Sequence, residues 1–431
     1  MSMHLESLPG PETITRRTLE NGITVLVYEN HNAQSVVLTG SVEAGSLFDP
    51  PDEMGLATFT ASALMRGTEK HDFAEIYELL EGNGASLSIS GGMHTTGFGG
   101  KSLGEDLPML LDLLSDALRR PIFPERQVER LRGEIITGLK IREQDTRFIA
   151  GRAFRELAYP PGHPYRRNGD GQIEIMERIP RDHLGVFWRQ HAGPRGMIVV
   201  IVGAVQAEDA IRQVAECFAD WQNPQQPAAP PLPPVPPLEQ VYERAVSMPG
   251  KSQSDIVLGV AGPSRFAEDW YAANLANSVM GVFGMFGRIG AEVREKRGLA
   301  YYSYSRLDGG LGPGAWRVIA GVNPANVYRA VEAMVGEIRR ITTEPVSAEE
   351  LADVKANFTG RLPLQLETNE GIAGTILMME RYGLGLDYLR RYPDIVNAVT
   401  AEDVLAAAQR YLNPDVYALA IAGPELPAGE S

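Results

Sequence analysis

Residues 179–203 read IPRDHLGVFWRQHAGPRGMIVVIVG, and residues 399–423 read VTAEDVLAAAQRYLNPDVYALAIAG. In each, a short entry precedes a helical pattern. A Gly193-Pro194 or Asn413-Pro414 pair then stops it, and an apolar strand closes on Gly203 or Gly423. The offset is 220 residues throughout. A second pair, Pro124–Arg132 and Ser347–Lys355, repeats at an offset near 223. One helix–strand unit met twice at a fixed spacing predicts a duplicated architecture.

Working outward, the first half continues that pattern. Asn21-Gly22 predicts a tight turn between the strands Arg16–Leu19 and Ile23–Tyr28. Val36–Val42 reads as a third strand, with Ala85–Ser90 and His94–Lys101 as a later pair. Helices are predicted over Gly55–Met65, Asp72–Gly82, Asp106–Arg119, Pro124–Arg142, Phe148–Leu157, Arg181–Arg189 and Glu208–Phe218. Between the halves, Asn223–Leu238 (NPQQPAAPPLPPVPPL) is half proline and has no hydrophobic period, which predicts an extended, semi-rigid linker. The expected fold class is α+β, in two duplicated domains, each a mostly antiparallel sheet flanked by helices. Expected boundaries are 1–222, a linker at 223–238, and 239–431, with the two domains closing as a clamshell.

Composition bounds the function. A chain of 431 residues is long enough for two cores. Its formal charge of -15 argues against a nucleic-acid partner, which needs a basic footprint. No apolar run is long enough for a membrane helix, and the first residues carry neither a secretory nor an organelle-transit pattern, so the cytoplasm is the expected location. Cys217 is the single cysteine, which excludes an internal disulfide and a cysteine-built metal site.

Ala291–Tyr304 (AEVREKRGLAYYSY) carries the polar chemistry. Paired charges and helix formers lead to Gly298, where a left-handed residue ends a helix without steric cost. Val293, Lys296 and Leu299 mark a buried stripe that leaves Arg294 pointing away. Leu299–Ser305 then reads as a strand with Tyr301 near its start. A guanidinium and a phenol are expected at one helix–strand corner.

These segments resemble the pitrilysin- or insulinase-like zinc peptidases, the family of the mitochondrial processing peptidase. The resemblance is strongest at NGITVLVYEN, EAGSLFDPPDEMGLA with its following RGT, HPY and VREKRGLAYYSYS. It implies two similar α+β halves facing each other across a chamber. It also implies a His-x-x-Glu-His motif on the helix after Gly55-Leu56-Ala57, where two histidines one turn apart bind zinc and the glutamate activates water. Here Thr58 and Ser62 stand at the histidine positions and Ala61 at the glutamate position. The family's third ligand, a glutamate, falls in the window Thr137-Gly138-Leu139, with Glu134 one turn earlier. Neutral hydroxyls are poor zinc ligands and alanine is no base, so this chain is expected to bind no metal itself. His163 of HPY is expected to cap a loop.

The resemblance further implies an arginine and a tyrosine, seven residues apart, that hold substrate and steady the oxyanion; Arg294 and Tyr301 match them. Gly281, Gly284 and Gly287 resemble the glycine-rich segment before that pair, which in a related subunit helps take in substrate; here they are also expected to permit close packing of a short helix. The expected function is the non-zinc subunit of a heterodimeric metallopeptidase acting on unfolded peptides. Zinc and the general base would come from a homologous partner, and no activity is expected from this chain alone. A catalytically inactive scaffold and a free-standing peptide-binding protein of the same fold are the alternatives.

Overall fold

The computed structural model describes residues 8–281 and 287–426, which form two compact units. The first half of the chain runs β1 (Ile14–Thr18), β2 (Thr24–Glu29), β3 (Ser35–Val42), α1 (Leu56–Ala63), α2 (Phe73–Gly82), β4 (Ser86–Gly91), β5 (Thr96–Leu103), α3 (Leu107–Arg119), α4 (Glu125–Arg142), α5 (Thr146–Ala158), α6 (Ile173–Met176), α7 (Arg181–His191), β6 (Ile198–Gly203) and α8 (Ala207–Phe218). The second half runs β7 (Tyr242–Ser247), β8 (Ser254–Ala261), α9 (Trp270–Gly281), a π-helical segment Gly290–Lys296, β9 (Ala300–Leu307), β10 (Ala315–Val322), α10 (Val327–Thr343), α11 (Ala348–Gln365), α12 (Asn369–Arg381), α13 (Tyr388–Ala398), α14 (Ala401–Tyr411) and β11 (Ala418–Gly423).

The duplication is visible element by element. The helix–strand pairs α7–β6 and α14–β11 begin 220 residues apart, as their sequences do. The first sheet has the order β1-β2-β6-β3-β5-β4 and the second β7-β11-β8-β10-β9. In both, the late strand (β6 or β11) runs parallel to one neighbour and antiparallel to the other. Both sheets end in an edge strand that precedes its only partner in sequence: β4 before β5, β9 before β10. The first sheet differs by the added hairpin strand β1, whose turn holds Gly22 at φ +93.

The compact units do not follow the chain's halves. The first comprises 1–139, 168–231 and 362–391; the second comprises 140–167, 232–361 and 392–431. The chain therefore changes unit inside α4 and again inside α11, and each half lends one helix to the other's sheet. Helix α12 lies on β6 and β3, and α5 lies on β11, β8 and β7. This loan explains the composition of the central strands, which are covered on both faces and read as unbroken apolar runs. On β11, Leu419 and Ile421 enter one cluster, while Ala418, Ala420 and Ala422 meet Ile149, Ala150, Ala153 and Phe154 of α5. Three alanines let α5 approach closely. Burying Phe154, which is 0% exposed, stabilises that contact by roughly 1.5–3 kcal/mol.

The proline-rich segment has an anchor in each unit. In the first, Gln226 is buried and exchanges hydrogen bonds with the Arg195 backbone at 3.1 and 2.9 Å, while the Asn223 amide donates to Ala192 O at 2.8 Å. In the second, Val235 and Leu238 pack against the α5 cluster. Among the described residues, no helix is long and apolar enough to cross a membrane.

Candidate active-site elements

Helix α1 opens on Gly55, at φ +100, where an added Cβ would stand 2.8 Å from Gly171 Cα. The buried Asp49 carboxylate accepts from the N–H groups of Gly55 and Ala57, both at 2.8 Å, and so satisfies donors of the first turn. One turn on, the Thr58 hydroxyl donates to Gly169 O at 2.8 Å, and the Ser62 hydroxyl donates to Thr58 O at 2.9 Å. Ala61 is fully buried. The two hydroxyls are thus bound to backbone carbonyls within their own unit.

On α4 the Thr137 hydroxyl likewise turns back, to Gly133 O at 2.8 Å. Glu134 is held by Arg66 at 2.7 Å and Arg130 at 3.1 Å, and the Arg66 guanidinium keeps its carboxyl below the usual range. That carboxylate is already neutralised by two arginines. Among the described residues, no group of three or more His, Cys, Asp or Glu side chains is placed to hold a metal ion. Hydroxyls committed to carbonyls, an alanine and an arginine-paired glutamate do not fit zinc, whose sites are built from imidazole, thiolate and free carboxylate. His163 is buried, and its Nδ1 accepts from Tyr165 N at 3.1 Å, capping the turn Pro164–Arg166.

The corner in the second unit is built differently. Gly281 and Gly287 both have positive φ, +123 and +124, and a Cβ on Gly287 would lie 2.3 Å from Gly281 Cα. Only glycine allows that approach, so both residues have a packing reason to be there. Gly284 lies outside the described residues. Arg288, with a side chain 6% exposed, then donates through Nε and Nη2 to the Glu350 carboxylate at 2.8 and 2.9 Å, which pins the start of the next helical stretch to α11. This fork pulls Glu350 down to about 2.

From Gly290 to Lys296 the helix is wound as a π-helix, where the sequence predicts an ordinary α-turn. No proline or glycine between Ala291 and Arg297 marks the widened turn, so its pattern alone does not reveal it. Such turns insert a residue and recur at functional sites. Gly298, at φ +61, ends the helix as predicted: its N–H donates to Arg294 O at 3.1 Å, and the Leu299 N–H donates to Val293 O at 2.9 Å. Val293 and Leu299 are buried. Lys296 departs from the predicted stripe; its side chain is 68% exposed and pairs with Glu292 at 3.2 Å. Glu292 also takes Arg297 at 2.8 Å. Both neighbouring cations being spent on Glu292, the exposed Arg294 side chain has no hydrogen bond or ion pair among the described residues.

Tyr301 sits in a β-bulge. Along β10, Gly321 pairs with Tyr302 and Val322 with Ala300, so Tyr301 is passed over. A bulge re-aims a side chain, and Tyr301 is 62% exposed with no hydrogen-bond partner for its hydroxyl among the described residues. Its neighbour Tyr302 anchors the strand start. The Tyr302 hydroxyl donates to the buried Asp255 and accepts from Arg147 Nε at 2.9 Å, with the guanidinium 4.1 Å from its ring centre. Asp255 also accepts from Thr146 Oγ1 at 2.5 Å and Gln253 Nε2 at 3.1 Å, and burial pushes its carboxyl up. Sequence reading did not single out Asp255, Arg147 or Thr146. Asp255 lies far from Thr146 and Arg147 in the chain, and a lone Asp in an apolar strand was the one signal available.

Comparisons with known proteins find one family in both halves of the chain. A model described as Insulinase (Peptidase family M16) matches residues 24–152, and one described as Peptidase M16 inactive domain matches residues 178–358. An uncharacterized zinc protease of Streptomyces coelicolor is 26% identical over 94% of this chain and 88% of its own length. A probable mitochondrial-processing peptidase subunit beta of Arabidopsis thaliana is 26% identical over 51% of this chain and 41% of its own. The crystal structure of a peptidase M16 inactive domain from Pseudomonas fluorescens superposes with a TM-score of 0.87 at 24% identity, covering 96% of this chain and 99% of the other. A protease from Helicobacter pylori gives 0.88 at 18% identity, covering 97% and 100%.

Proposed function

Since this chain belongs to the insulinase peptidase family M16, we propose that it is the non-zinc subunit of a two-chain metallopeptidase. The observation that carries the reading is the state of Arg294 and Tyr301. Both are exposed, neither has an internal partner among the described residues, and each lies at a one-residue insertion, a π-turn and a β-bulge. A structural arginine so placed would pair with Glu292, and a structural tyrosine would pack under the sheet. Here Lys296 and Arg297 take Glu292, and Tyr302 supplies the anchor.

In this reading the chain contributes binding and transition-state stabilisation. The Arg294 guanidinium and the Tyr301 hydroxyl donate to the carbonyl oxygen of an extended peptide. Their hydrogen bonds strengthen as that oxygen gains negative charge. The metal and the base that activates water belong to a homologous partner bearing His-x-x-Glu-His. Unfolded peptides suit the site because an unpaired sheet edge accepts an extended strand, and β9 is such an edge.

The test is hydrolysis of a quenched fluorescent peptide by this chain, by the zinc-bearing relative, and by their mixture. The mixture is expected to cleave, and this chain alone to be inert. Cleavage by the metal-stripped chain alone overturns the assignment.

A further inference from the structure

Along the unpaired edge of β9, past Tyr301, lies a groove of about 470 Å³. One wall is α9, through Asn274, Asn277 and Ser278; the other is α11, through Phe358 and Arg361; the strand contributes Arg306 and its backbone. Asn277 is only 3% exposed, and its orientation is set from below. Trp316 Nε1 donates to the Ser305 hydroxyl at 3.4 Å, so that hydroxyl gives its own proton to Asn277 Oδ1 at 2.7 Å. The amide nitrogen of Asn277 is thereby turned from Ser305 and has no acceptor among the described residues, although it belongs to a side chain that lines the groove.

The electrostatics point the same way. Two arginines line the groove and no aspartate or glutamate does, in a chain whose net charge is -15. Arg306 keeps an ion pair with Asp308 at 2.7 Å, which lies outside the lining and holds the guanidinium at the rim. Amide, hydroxyl and guanidinium donors facing one space recognise an acceptor, best a carboxylate.

We propose that this groove is a specificity pocket for an aspartate or glutamate of an extended peptide paired with β9. The inference rests on the reading that the start of β9 faces substrate. From Tyr301 to Ser305 the strand advances roughly 13 Å, so the acidic side chain enters about four residues from the one beside Tyr301. Alternation of side chains on a paired strand sends residues two apart to the same face, which fits an even spacing.

Fluorescence anisotropy of the full chain with three labelled, unstructured peptides tests this. The peptides are identical except for Glu, Gln or Lys at one position. The Glu peptide is expected to bind about tenfold more tightly than the Lys peptide, with Gln between them. Arg361→Glu, a change at an exposed site, is expected to abolish or reverse that order. Asn277→Ala is expected to weaken the Glu and Gln peptides together, with a thermal melt confirming that it is folded. Equal binding of all three peptides overturns the pocket while leaving the assignment of Arg294 and Tyr301 to the hydrolysis assay. So does an order that survives Arg361→Glu. Absence of any binding also overturns it, and that result is separated from the catalytic reading by peptide cleavage in the mixture.

Discussion

Helix α1 and the α9–β9 corner hold equivalent places in the two copies of the repeat. Each follows the strand beside the central one and leads to the edge strand of its sheet. In α1 the hydroxyls at the expected ligand positions are bound to Gly169 and Thr58 carbonyls, and the Glu134 carboxylate of α4 is bound to Arg66. At the corner, the backbone departs twice from regular geometry, and the two polar side chains at those points have no hydrogen-bond partner among the described residues. Under the proposed function, the difference teaches where chemistry survives in a duplicated fold. A site that has lost its role satisfies its polar groups internally, because unpaired buried groups cost free energy. Under the proposed function the corner presents polar groups to a ligand, and it is propped by the Arg288–Glu350 fork and the Tyr302–Asp255 network.

The contrast breaks most readily at the corner. Combining Arg294→Ala with Tyr301→Phe is expected to lower peptide hydrolysis by the mixture about a hundredfold or more, the usual cost of lost oxyanion donors, with subunit association unchanged by size-exclusion chromatography. Full activity of that variant would remove the functional half of the comparison.

Next in size is the glycine pair. Gly287→Ala places a Cβ 2.3 Å from Gly281 Cα at φ +124, and about 2–3 kcal/mol of lost stability is expected in urea titration. A neutral result would show that the close approach is not needed to set the corner.

The Arg288–Glu350 fork adds a pH signature. Arg288 holds Glu350 near 2, below its ordinary value, so the folded chain keeps this carboxylate ionised where the unfolded chain protonates it. Its contribution is complete above the unfolded value, near 4.3, and is lost as pH falls through the folded value. Glu350→Gln is expected to flatten the fall in urea midpoint between about pH 4 and pH 2. The difference should be on the order of 1–2 kcal/mol after allowance for solvent screening.

The smallest effect is expected at α1. Thr58→Val removes the bond to Gly169 and should cost about 1 kcal/mol in stability while leaving hydrolysis by the mixture unchanged. Loss of activity here would show that α1 still takes part in the reaction.

The sequence by itself determined the repeat, most of the element order of the first half and the identity of the side chains that differ from a zinc site. Periodicity and punctuation are local properties: Gly298 ends its helix, Asn21-Gly22 turns its hairpin, and the 220-residue offset reappears between β6 and β11. Resemblance in the segment around Arg294 singled out that residue and Tyr301. Tertiary structure alone decided that α5 and α12 change places between units, since an amphipathic helix states that it must be covered but not by which sheet. It alone widened the turn at Arg294 and bulged the strand at Tyr301, because one inserted residue is absorbed by packing around Val293 and by the register against Gly321, neither of which has a local signal. And it alone assembled Asp255, Thr146, Arg147 and Tyr302 into one anchor, for the energy of that network exists only once residues more than a hundred positions apart are in contact.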